Sequence, residues 1–142
     1  MHARTLSLVL GALLALSAEP AAAVDLSRMQ AQFGDVVYQL YCATCHGKGG
    51  KGDGPAAASL TTPPADLTTI AKRNGGTFPV ERVTASIDGR IEVVGHMELA
   101  MPPWGQLFAH EFKDFPEGTI IEELIARRIA HIVVYLQSIQ EE

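Results

Sequence analysis

Two cysteines and a histidine share one pentapeptide, Cys42-Ala43-Thr44-Cys45-His46, and these are the only cysteines in the 142-residue chain. Two thiols three positions apart can add to the two vinyl groups on one edge of a porphyrin. A histidine directly after the second thiol then lies under the ring, with a nitrogen aimed at the iron. The pattern predicts one covalently attached haem c and a redox role. No cysteine remains for a disulfide or a second haem. Two other chemistries use similar residues. A structural zinc site needs four ligands, which two of His46, His96, His110 and His131 could complete beside the cysteines, yet no pair among them has finger-like spacing. A thioredoxin-like dithiol needs a βαβ setting, and no buried strand precedes Cys42.

A haem iron held by His46 on one face needs an answer on the other, and the sixth ligand decides between electron transfer and ligand binding. The candidate is Met101, in Met101-Pro102-Pro103-Trp104-Gly105. The two prolines stiffen the backbone after it, so little entropy remains to be lost on holding the thioether. Met97 is the nearest competitor and His96 and His110 are further ones. Met29, like Met97, reads as a filler of core gaps.

These residues need elements to position them. Phe33, Val36, Val37, Leu40 and Tyr41 recur at helical spacing and predict a helix over 33–41 that delivers the haem motif. Gly47 to Gly54 is a glycine-rich loop that lets backbone pass close to a haem edge. Gly47, Gly49 and Gly52 match a dinucleotide fingerprint in letters, but that motif must follow a strand and open a helix. Pro63-Pro64 breaks regular structure, and Asp66 or Thr68 can cap a short helix after it. Pro79 to Ile87 predicts a helix, with Val80, Val83 and Ile87 on one face and Gly89 past its end. Residues 95–118, with three prolines and three glycines, read as irregular. Thr119 and Glu122 are spaced as a capping box. After them Ile125, Ile129, Ile132, Val133 and Leu136 form an apolar stripe.

Residues 1–23 read as a secretory signal peptide. His2 and Arg4 precede an apolar run from Leu6 to Leu16, and Ala21-Ala22-Ala23 offers an Ala-x-Ala cleavage site. Eleven residues are too few for a span of about 20, which weighs against an uncleaved anchor. The expectation is a periplasmic protein whose single domain covers 24–142, with no membrane span in the mature chain. Arg4 and Glu19 leave together, so the net charge of −5 is unchanged by cleavage. An acidic surface argues against nucleic acid and favours partners with basic docking faces.

With these residues in hand, the chain resembles the class I c-type cytochromes, small soluble single-haem carriers. Cys42 to His46 matches their haem motif. Gly34 and Tyr38 stand at the glycine and aromatic positions of their first helix, and Val134-Tyr135-Leu136 resembles the aromatic partner in their last. Gly54-Pro55 and Met101-Pro102 match the two remaining signatures. The resemblance implies an all-α cytochrome c fold, with about 4–5 short helices around one covalent haem c and crossing N- and C-terminal helices. It implies that the Pro55 carbonyl accepts a hydrogen bond from His46, and that His46 and Met101 are the axial ligands of the iron. The implied function is outer-sphere electron transfer between a redox protein donor and acceptor, such as a respiratory complex or a periplasmic oxidoreductase. The chain then has no catalytic residues of its own. Two other readings stay open: the haem subunit of a periplasmic dehydrogenase or reductase, and a haem-based ligand sensor. Arg73, Arg90 and Trp104 could serve the haem propionates. The stretch from Trp104 to Gly118 is longer than the family pattern. It reads as a surface loop tucked by Phe108, Phe112 and Phe115, or as a partner-docking lobe.

Overall fold

The computed structural model describes residues 25–89 and 101–141. Helices dominate them, and they contain no strand. The longest two are α1 (Leu26–Tyr41) and α6 (Ile121–Ser138). Asp25 starts α1, its carboxylate accepting from the Arg28 N–H at 3.1 Å. The helix thus begins well before the predicted position 33.

The crossing of α1 on α6 is the main contact between helices. Gly34 makes it possible. A Cβ there would sit 1.9 Å from the His131 carbonyl oxygen and 2.7 Å from Tyr135 Cβ. Only a glycine lets the two backbones approach this far. Beside the crossing, the Tyr38 and Tyr135 rings meet with centroids 5.0 Å apart. Tyr38 is fully buried, and its hydroxyl donates to the Gly47 carbonyl at 2.7 Å. From α6, Ile129, Ile132, Val133 and Leu136 are buried, as the stripe predicted, and Ile125 is half-buried.

The buried face of α1 is not the one expected. Gly34 and Tyr38 are buried and Val37 and Tyr41 are half-buried, whereas Phe33, Val36 and Leu40 are exposed. Met29 is exposed too, and fills no core gap. The apolar residues of this helix fall on two faces, and the close approach at Gly34 selects which one packs.

The shorter elements frame a pocket against this pair. α2 (Ala43–His46) is a single turn carrying the haem motif. After two 3-10 turns, at Ala57–Ser59 and Leu67–Thr69, come α3 (Ile70–Arg73) and α4 (Val80–Asp88). Asp66 caps the second turn, accepting from the Thr68 N–H at 2.8 Å and the Thr68 hydroxyl at 2.6 Å. Gly89 closes α4 in the left-handed region at φ 91°. Ile87 is buried on the predicted face, while Val80 is 38% exposed.

The region read as irregular contains α5 (Trp104–Glu111). Pro103 opens it, its carbonyl accepting from the Gln106 and Leu107 amides at 3.0 and 3.3 Å. Phe108 is fully buried and meets the Tyr41 ring edge-on at 5.3 Å. The Arg128 guanidinium lies 4.6 Å from the Phe108 centroid and 4.3 Å from that of Phe112, and pairs with Glu111 at 2.6 Å. The segment is therefore packed through Phe108 and Phe112, while Phe115 rests against Phe112 and stays exposed. The capping box does not form, because Thr119 donates its hydroxyl to the Pro116 carbonyl at 2.7 Å and Ile120 occupies the cap of α6.

The chain end returns to the 65–71 segment. Gln140 receives the Ala71 N–H at 2.9 Å and donates to the Leu67 carbonyl at 2.8 Å, while the Glu141 N–H donates to the Thr68 carbonyl at 2.7 Å. No helix among the described residues is long and apolar enough to cross a membrane.

Candidate haem site

Cys42 is the last residue of α1's hydrogen-bonded frame, its N–H donating to the Tyr38 carbonyl at 2.8 Å. The chain then tightens at once into α2, with Cys45 N–H and His46 N–H both donating to the Cys42 carbonyl, at 3.1 and 2.9 Å. Residues three apart on a helical turn share a side, so the two sulfurs project together, as a two-point attachment requires. Cys42 is buried and Cys45 half-buried, and both are free thiols. Burial, with Cys45 beside it, pushes the Cys42 thiol up to about 12, so it stays protonated.

His46 is buried, and its Nδ1 lies 3.0 Å from the Ala65 carbonyl oxygen. A carbonyl only accepts, so Nδ1 carries the proton and Nε2 keeps its lone pair. Burial lowers the imidazole's proton affinity, against the opposing pull of the Ala65 hydrogen bond. The ring is thereby held in the neutral form that binds metal.

The carbonyl that meets His46 belongs to Ala65, not to Pro55. The Gly54-Pro55 segment is stitched beneath α2 instead, through Gly54 N–H to the Cys45 carbonyl at 3.1 Å and Ala56 N–H to the Thr44 carbonyl at 2.9 Å. Gly54 has to be a glycine for this, because a Cβ there would lie 2.4 Å from the Thr44 oxygen. The loop carries the chain past His46 and brings it back only after Pro63-Pro64. Gly52 N–H donates to the His46 carbonyl at 2.8 Å, so the glycine-rich loop packs on the haem-motif turn.

One cleft joins these parts. It encloses about 870 Å³ counting its open mouth, and both His46 and Met101 line it, with Cys42 at one side. Its walls are mostly apolar and include Leu67, Ile70, Val83, Ile87 and Leu136. Arg73 and Arg82 are the two cations in the lining. Arg73 also donates to the Thr69 hydroxyl. Arg82 went unnoticed in the sequence, although it and Ser86 sit one turn apart beside the apolar Val83 and Ile87. Trp104 packs between Tyr41 and Phe108 rather than in the cleft. His110 is exposed on α5, and His131 stacks on Phe33 at 5.8 Å. Arg90, His96 and Met97 lie outside the described residues, as does the 1–23 segment. Among the described residues, no group of three or more His, Cys, Asp or Glu side chains gathers as a metal site, so the ligand set that zinc needs is not assembled there.

A helical shell with paired thiols, a neutral buried imidazole and a thioether on one apolar cleft defines a c-type cytochrome domain. Residues 30–114, more than half of the chain, match the family described as cytochrome C oxidase, cbb3-type, subunit III, and the chain belongs to that family. No curated protein and no solved structure matched it. Family membership implies a covalently bound haem c with its iron, and haem-based electron transfer. The residues fit that group. The cleft is apolar, the free nitrogen of His46 remains available, and the two guanidinium groups offer counter-charge to acidic substituents.

Proposed function

We propose that the protein is an exported, periplasmic single-haem electron carrier, with residues 1–23 removed as a signal peptide and 24–142 forming the cytochrome domain. Cys42 and Cys45 hold the porphyrin through thioethers, and His46 and Met101 are the axial ligands. A bound haem c supplies an Fe(III)/Fe(II) couple. The observation that carries this reading is that His46, with Nε2 uncommitted, and Met101 line the same cleft.

The chain's residues do the rest. Ala65 fixes the orientation and tautomer of His46, which also raises the basicity of the ring. Met101 opposite an imidazole favours the reduced state, which suits the oxidising end of a redox chain. Two fixed ligands keep the geometry alike in both oxidation states, so little reorganisation accompanies transfer. Arg73 and Arg82 neutralise the propionates. The mostly apolar lining of the cleft favours an enclosed haem that passes electrons over a site that holds a substrate. The family description, that of an oxidase subunit, favours a redox complex as partner over a wide choice of acceptors.

The test is the visible spectrum of holoprotein, ferric and ferrous, in wild type and Met101→Ala. The expected result is a low-spin c-type spectrum whose weak far-red methionine–iron band vanishes in the variant, with a large fall in potential. A wild-type spectrum without that band would point to another sixth ligand. Ready binding of carbon monoxide by reduced wild type would move the protein to ligand sensing.

A further inference from the structure

Met101 reaches the cleft from a short segment, and whatever holds that segment decides where its thioether sits. Pro102 and Pro103 follow it, and each ring locks φ. Pro103 then opens α5. Little soft backbone lies between α5 and Met101, so a displacement of the helix passes on to the side chain.

Two contacts place α5. The first is with the end of α4. A Cβ at Gly89 would sit 2.4 Å from Pro103 Cβ, and one at Gly105 would sit 2.0 Å from Asp88 Oδ1 and 2.9 Å from the Asp88 carbonyl oxygen. This contact of shape resists approach and does nothing against separation. The second contact holds. Trp104 and Phe108, one turn apart on α5, both meet the Tyr41 ring edge-on at 5.3 Å. Tyr41 directly precedes Cys42. One turn further along α5, the Glu111 carboxylate accepts from the Tyr41 hydroxyl at 3.1 Å and pairs with Arg128 of α6 at 2.6 Å. A single carboxylate thus ties α5 to both long helices. The Arg128 guanidinium lies over the Phe108 and Phe112 rings, and its side chain is 22% exposed. Such partly covered, charge-assisted bonds are stronger than neutral ones and less screened than open surface pairs.

We propose that Glu111, acting through Arg128 and Tyr41, is a positioning residue for Met101. It clamps α5 against the residue that precedes Cys42, and the two prolines carry that constraint to the thioether. This role rests on Met101 being the axial ligand. Without the clamp α5 can separate from α1 and α6, and an external ligand then competes more easily for the sixth position.

The test is imidazole titration of ferric holoprotein, followed by loss of the methionine–iron band, with the melting temperature of the same samples. Glu111→Ala removes both bonds from a side chain that is 39% exposed, so it opens no cavity. Asp25→Ala is the control, removing the N-cap at the opposite end of α1 from Tyr41. Imidazole should bind Glu111→Ala roughly tenfold more tightly than wild type, the equilibrium equivalent of one charge-assisted hydrogen bond. Glu111→Gln keeps an acceptor oxygen for Tyr41 and Arg128 and should fall between the two. Asp25→Ala should lower the melting temperature and leave imidazole affinity unchanged. Unchanged affinity in Glu111→Ala overturns the proposal, whatever its melting temperature, and so does an equal gain in Asp25→Ala. A wild type that has no methionine–iron band overturns the ligation by Met101 itself, before any variant is compared.

Discussion

Gly34→Ala adds one methyl group at the closest point of the molecule, and its cost can be worked from the geometry. The new Cβ would meet the His131 oxygen at 1.9 Å, where ordinary contact begins at 3.4 Å. The obstacle is backbone inside a helix and cannot rotate away, so α1 and α6 must separate by something approaching the 1.5 Å shortfall between those two distances. Overpacking of this kind costs about 3 kcal/mol, at the upper end for one added group. Alanine returns about 1 kcal/mol of helix propensity over glycine. The net loss is about 2 kcal/mol, the difference between the overpacking cost and the propensity gain. For a domain of this size that lowers the melting temperature by about 10 °C. The assay is thermal and denaturant unfolding of holoprotein, followed by far-UV circular dichroism and haem absorption. An unchanged or raised midpoint is what helix propensity alone would give, and it would refute the close-crossing argument.

Two further outcomes are expected. Tyr38→Phe removes the hydroxyl bond to the Gly47 carbonyl, which keeps the Gly50 N–H at 3.1 Å, and should cost about 1 kcal/mol in denaturant unfolding while the ring stays packed; a loss within error of zero counts against that bond. Asp66→Ala removes both hydrogen bonds from Thr68 and should lower stability at pH 7 by about 1 kcal/mol. Hydrogen bonding to Thr68 holds the Asp66 carboxyl below the usual carboxylate range. Its stabilising contribution is therefore complete above an unfolded value of about 4 and fades as pH falls through the lower folded value. The gap between wild type and Asp66→Ala in midpoint should narrow progressively as pH falls below about 5, and a gap independent of pH would refute the assignment.

The parts of this molecule with strict local chemistry could be read from residues alone. The pentapeptide announced two thiols and an imidazole, and it folds as one helical turn. Gly34, Tyr38 and Tyr135 pointed to the crossing through the resemblance to the class I cytochromes, whose glycine and aromatic positions they match. The α6 stripe was legible since one face takes nearly all its apolar residues. The failures have a common origin in long-range selection. Two apolar faces on α1 are equally helical in period, and only α6 decides which is buried. Prolines and glycines in 95–118 hid α5, whose stability comes from Phe108 among Tyr41, Trp104 and Arg128. Either Pro55 or Ala65 could have supplied a carbonyl to His46, and the path of a 19-residue loop chose between them. Arg82 gave no signal because an arginine on a helix is usually solvated.

The return of Gln140 and Glu141 to the 65–71 segment bears on the order of assembly. The carbonyl that orients His46 sits at the start of a stretch fastened at two ranges, by Gly50 and Lys51 nearby in sequence and by Gln140 and Glu141 about 70 positions later. Contacts of such separation form late, because the intervening loop must first be closed. Until those contacts form, the wall around Leu67 rests on its nearer bonds to Gly50 and Lys51 alone. The orientation of His46 is thus completed in two stages, first by the loop that follows the haem motif and then by the residues that follow α6.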